Sequence, residues 1–275
     1  MNARTLAQGS RVGKRKAAPA MEGAARAGFT ARGVIYVLVG LLALQIAFGD
    51  SGKQADQGGA LQEVAGKPFG AVVLWALGVG LVGMALWRLS EAVFGAVGPD
   101  GDKATKRLAS AGRAVFYGFI AYSVLSFAAG SGGSGSSDGQ SRDVTAKVMD
   151  LPAGRWLVGI AGVVILCAGL WMAVQAIRRK YHKRMRLGEM SRRVRQTVDV
   201  TGVGGGVARG LVFAVAGGFA IRAAMDYEPD KVKGMDDTLR SFAETPMGPW
   251  LLALIAVGLM LFGVFSFAMA RYRKV

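Results

Sequence analysis

The stretch FGAVVLWALGVGLVGMALW, residues 69–87, decides the architecture, because it runs nineteen residues without a charge and carries Gly78, Gly80 and Gly83 in its middle. A helix rises 1.5 Å per residue, so about 20 apolar residues cross ~30 Å of hydrocarbon. In water each mid-helix glycine costs roughly 1 kcal/mol against alanine. In lipid, small residues are what lets helix backbones approach. Working outward, uncharged blocks recur at 33–49, 114–130, 156–177 and 249–270. A sixth, 210–221, is short between Arg209 and Arg222. Residues 200–208 before it are uncharged, and both arginines can snorkel. The reading is an all-α integral membrane protein with six transmembrane helices, at about 31–49, 69–93, 112–130, 155–177, 205–225 and 248–270.

The remaining composition fits that reading. The chain has 275 residues and a net charge of +16, from 34 Lys and Arg against 18 Asp and Glu, yet 52% of it is hydrophobic. Sorted between the two sides of six spans, 25 of the 34 basic residues fall with the termini and 9 with the other loops. The acids divide six against twelve, so the sides carry +19 and −3. By the positive-inside rule both termini are expected in the cytoplasm. The tail, 1–26, is basic and lacks an apolar run, so the first span reads as an uncleaved anchor. A single cysteine, Cys167, and a single histidine, His182, leave no disulfide framework, zinc set or catalytic triad. No cofactor or metal is expected, and the chain is not expected to be an enzyme.

Internal repetition organises the spans. Arg32-Gly33-Val34-Ile35-Tyr36 is matched by Arg113-Ala114-Val115-Phe116-Tyr117 and by Arg209-Gly210-Leu211-Val212-Phe213. Eight residues after each arginine stands Gly40, Ala121 or Gly217. The even spans open on Pro68, Pro152 and Pro246, followed two places on by Gly70, Gly154 and Gly248, and nineteen places on by Trp87, Trp171 and Phe265. Short amphipathic stretches before each proline, at 61–64, 144–149 and 239–242, read as interfacial helices in the outer loops, with Asp237 as an N-cap. The units are 27–95, 108–178 and 201–273, with a basic linker over 179–200. Two spans per unit give all three the same orientation, and a pseudo-three-fold bundle is expected.

Three tandem units of Arg-[Gly/Ala]-apolar-apolar-aromatic, a loop, then Pro-x-Gly and an aromatic-bearing second helix resemble the bacterial membrane-protein family called domain of unknown function 1206. The likeness covers about residues 27–273. The resemblance implies a six-helix inner-membrane protein with no assigned activity and brings no catalytic residues. The second unit departs from the pattern in Ala114 and a long Gly/Ser insert, the third in a short span and Phe265.

Candidate chemistry is sparse. Arg32, Arg113 and Arg209 occupy equivalent positions and form a candidate anion or lipid-headgroup site if they converge on an axis. Otherwise each is a topology signal and headgroup anchor. Glu91 lies one turn from Arg88 and is expected to pair with it near the interface. The linker 178–195 holds nine Lys and Arg, with Tyr181, Met185, Met190 and Val194 at roughly helical spacing. It reads as an interfacial helix on anionic lipid, so the partner is the phospholipid bilayer and not nucleic acid. Gly202-Val203-Gly204-Gly205-Gly206 lacks the Lys-Ser/Thr of a phosphate loop and reads as a flexible entry to the fifth span. The run 131–139 reads as a flexible linker, and Cys167 as a buried thiol. The expected role is a structural, lipid-interacting or accessory membrane protein, and the alternative is a small channel or transporter for an anion, small solute or lipid.

Overall fold

A computed structural model describes residues 3–49, 54–95, 103–130, 137–245 and 247–274. Its helices are α1 (Ala3–Ala47), α2 (Gln57–Ala65), α3 (Gly70–Phe94), α4 (Ala104–Ala128), α5 (Ser137–Met149), α6 (Gly154–Ile177), α7 (Arg192–Asp226), α8 (Met235–Ala243) and α9 (Gly248–Tyr272). Six are long and apolar enough to cross a membrane: α1 from Met21 onward, α3, α4, α6, α7 and α9. The protein is a multi-pass, all-helical membrane protein. The fifth span, weakest in the sequence, is the 35-residue α7, and the whole Gly202–Gly206 run lies inside it.

Each loop helix sits directly on the start of the following span, and a glycine makes this possible. A Cβ on Gly70, Gly154 or Gly248 would come within 2.1, 1.9 or 2.2 Å of the carbonyl oxygen of Val64, Val148 or Ala243. In the first two units the turn between proline and glycine also needs a left-handed residue, Phe69 (φ 63°) and Ala153 (φ 62°). Pro68 and Pro152 lie exposed on these turns, whereas Pro246 lies outside the described residues. Met247 has φ −99°, so the third unit enters its even span differently. The cap of α8 is Gly234, and Asp237 instead pairs with Arg142, joining α8 to α5.

Three seams join the units. α3 pairs with α4, α6 with α7 and α9 with α1, each joining the even helix of one unit to the odd helix of the next. These seams use small residues in one register. A Cβ on Gly33 would meet Gly263 O at 3.0 Å, and one on Gly210 would meet Gly169 O at 2.7 Å; the matching positions of the α3–α4 seam are Ala114 and Ala85. The small face of α7 is Gly210, Ala214 and Gly217; Gly218 meets nothing within 4 Å.

Inside the units the equivalence breaks. α1 packs on α3 and α7 on α9, while α4 and α6 have no comparable contact. A Cβ on Gly28 would strike Met84 and one on Gly205 would strike Phe262; the counterparts in the second unit, Ala109 and Ala168, are both exposed. Trp87 and Phe265 are buried, but Trp171 is 56% exposed. The helices thus form an arc, α4–α3–α1–α9–α7–α6, open between its ends, and the expected three-fold arrangement is not completed. Part of the insert in this unit, 131–136, lies outside the described residues. Cys167 is exposed on α6, contrary to the expected buried thiol, because this helix keeps few neighbours.

Candidate functional site

The end of the bundle that carries the basic linker and the last residues of α9 is rich in buried charge. Arg32, on α1, is 8% exposed. Its guanidinium donates to Ser266 Oγ at 3.1 Å, the Tyr117 hydroxyl at 3.4 Å and Met269 Sδ at 3.7 Å. It lies 4.8 Å from the centre of the Phe29 ring and 5.1 Å from that of Phe262. Arg209, on α7, donates to the Tyr36 hydroxyl at 2.7 Å and rests 4.9 Å from the same Phe262 ring and 5.2 Å from Phe213. Two of the three candidate arginines therefore converge, with one phenylalanine ring shared between them.

Their hydrogen bonds follow a rule. The arginine of the first unit donates to the tyrosine of the second, and the arginine of the third to the tyrosine of the first. The remaining step would run from Arg113 to Phe213, which has no hydroxyl. Arg113 accordingly does not join the pair: it is exposed, within electrostatic reach of Arg88, Arg184, Glu91 and Tyr117. The tyrosine that ends a heading is thus the acceptor for the preceding unit's arginine, and a missing phenol oxygen accounts for the odd one out.

A second group adjoins the first. Arg88 Nη1 donates to Glu91 Oε2 at 2.7 Å, and Ser110 Oγ to the same oxygen at 3.4 Å. Arg273 Nη2 lies 4.0 Å from Glu91 Oε1. The expected Arg88–Glu91 pair exists, but it is buried, at 5% and 8% exposure. Arg88 and Arg273 lie 4.2 and 4.7 Å from the Trp87 ring centre, and Arg273 lies 5.0 Å from that of Phe29, which also carries Arg32. Guanidiniums and rings thus alternate from Arg88 to Arg209. Sequence reasoning missed Arg273 and Ser110, since neither belongs to a motif; two terminal arginines among several gave no signal.

The linker closes over this group. Instead of one helix on lipid it forms two 3-10 turns, Lys180–Arg184 and Leu187–Glu189, and then α7 begins at a Ser191 cap. Its apolar residues face inward: Met185 is 2% exposed, and Tyr181, Leu187, Met190 and Val194 pack on the same core. Met185 bridges to Arg273, with Arg186 N donating to Tyr272 O at 2.8 Å and Lys274 N to Arg184 O at 2.9 Å. Asp199, on α7, holds the other end, accepting from Tyr181 at 3.2 Å and from Arg179 at 3.4 Å and pairing with His182. Burial, with the Asp199 carboxylate beside it, holds the Tyr181 phenol above its ordinary value. Gly202 lets the rings of Tyr181 and Phe265 lie against α7, and Gly205 the backbone of Phe262, so the glycine run is a packing surface and not a flexible entry.

The family described as Domain of Unknown Function (DUF1206) matches the chain three times, at residues 27–95, 108–179 and 204–273. The chain is 29% identical over 262 residues to an uncharacterized protein of Bacillus subtilis (strain 168), covering 94% of each. No solved structure matches it.

Proposed function

The chain belongs to the family of Domain of Unknown Function (DUF1206), whose unit it carries three times, and on that premise we propose that it is a lipid-interacting structural or accessory protein of the inner membrane. Both termini lie in the cytoplasm, an orientation supported by 25 of 34 basic residues falling on the terminal side. The observation that carries the lipid reading is the open second unit. Ala109, Ala168 and Trp171 are exposed where their counterparts in the other units are buried, which leaves a slot between α4 and α6 wide enough that the two helices do not pack. In a bilayer such a slot fills with acyl chain. Arg113 stands on α4 without a ring partner among the described residues, suited to a headgroup phosphate at its mouth. The outward basic side chains of the linker 178–195 meet anionic lipid on the same side.

The test is lipid retention in native mass spectrometry after mild detergent extraction. Anionic lipid stays bound to the wild type, and Arg113→Ala releases it while leaving thermal stability unchanged. The second reading, a channel or transporter for an anion, small solute or lipid, is favoured by the inward turn of Arg32 and Arg209. A proteoliposome flux panel decides between them: selective flux lost in Arg113→Ala would overturn the accessory reading.

A further inference from the structure

Arg32, Arg88, Arg209 and Arg273 meet within one set of rings, and the acid among them is Glu91. The other buried acids among the described residues, Asp56 and Asp236, belong to the loop helices at the far end, where Asp236 accepts from Ala55 N at 2.6 Å. Arg209 is half-buried, and the three buried arginines, Arg32, Arg88 and Arg273, therefore outnumber Glu91 by two positive charges. Burying unpaired charge in a low-dielectric bundle is costly, and Arg stays protonated in proteins. Aromatic faces and tyrosine hydroxyls ease the cost without cancelling the charge.

Arg88 Nε and Arg273 Nε are both buried and have no hydrogen-bond partner among the described residues. They belong to the two guanidiniums that share the Glu91 carboxylate and the Trp87 ring, at 5% and 6% exposure. Arg273 lies just beyond the last span, and burial, with Arg88 and Arg184 close by, presses its guanidinium well below the ordinary arginine range. Water can accept both N–H groups but cannot offset charge. What fits is a compact multivalent anion whose oxygens accept from two forked donors at once, the geometry of a phosphate.

We infer that Arg88 and Arg273, with Arg32 behind them and the linker strap above, form a binding site for a phosphate group, built from buried donors where the neighbouring slot has the exposed Arg113. Glu91 sets the affinity: it holds the two guanidiniums in place and competes with the ligand for them. The phosphate comes either from a free phosphate or phosphomonoester in solution or from the headgroup of a phosphatidate-like lipid; the donors are the same in both cases.

The experiment uses the full chain in nanodiscs and follows thermal unfolding. Inorganic phosphate in phosphatidylcholine discs is expected to raise Tm saturably, beyond the effect of chloride at equal ionic strength. Arg273→Gln abolishes the shift. Glu91→Gln lowers the half-saturating phosphate concentration by roughly tenfold, the scale of removing one close negative charge. A shift seen only when phosphatidate replaces part of the phosphatidylcholine identifies a lipid as the source and supports the same site. No saturable shift with either probe, in wild type and in Glu91→Gln alike, overturns the inference, as does an undiminished shift in Arg273→Gln. If Arg273→Gln fails to fold, the Glu91→Gln comparison decides alone, and an unchanged half-saturating concentration counts against the site.

Discussion

At the scale of single residues, the heading of each odd span was readable as a pattern but not as a contact, because the acceptor for each arginine stands in another unit. Tyr36 and Tyr117 look like matching aromatics on two repeated helices, α1 and α4, yet each holds the arginine of the preceding unit. Tyr36→Phe leaves the Arg209 Nε without its acceptor and is expected to cost about 1–3 kcal/mol. Tyr117→Phe costs less, since its bond is longer and Arg32 keeps Ser266. Thermal unfolding of the two variants, side by side, checks the order. Tyr181 gives a pH signature. Its phenol lies above the ordinary value, so the neutral form's contribution is complete below about pH 10 and is lost as pH rises through the raised value. The stability advantage of wild type over Tyr181→Phe is therefore expected to narrow above about pH 10; an advantage that persists unchanged through that window counts against the Asp199 clasp.

At the scale of elements, six helices and their repeat were legible because long uncharged blocks and recurring headings need no tertiary information. Which face of each helix packs was less so. On α7 the spacing Gly210, Ala214, Gly218 suggests a straight stripe, whereas the seam uses Gly217. A stripe of four, then three, is what a shallow helix crossing selects, and the sequence does not state the crossing. Gly169→Leu drives side chain into the backbone of Ala214 and Gly210, at 2.5 and 2.6 Å for the Cβ alone, and is expected to cost about 3 kcal/mol or more. Gly218→Leu, in open space, is expected to stay within about 0.5 kcal/mol of wild type. Folded yield by size-exclusion chromatography separates the two. The linker was misread for a related reason: apolar residues at helical spacing are equally served by 3-10 turns when a buried core lies beneath them.

At the scale of the whole molecule, three similar units do not make three equal ones. The seams between units are kept, and the second unit is parted from within, so the sequence repeat overstates the symmetry. Oxidative cross-linking tests this directly. With Cys167 replaced by alanine, a double variant Ala109→Cys and Ala168→Cys is expected to stay unlinked, although the corresponding positions in the other units touch; rapid disulfide formation would show a closed second unit. The seam between α9 and α1 has a temporal consequence as well. α1 finds its glycine partner, Gly263, and the Ser266 acceptor for its arginine only on α9, made after the spans that lie between them in the chain. Until then α1 waits in the bilayer with a bare face and a guanidinium short of its Ser266 acceptor, so assembly of this arc is gated by the emergence of α9, and any nascent chain that stalls before α9 presents quality-control proteases with an unfinished seam.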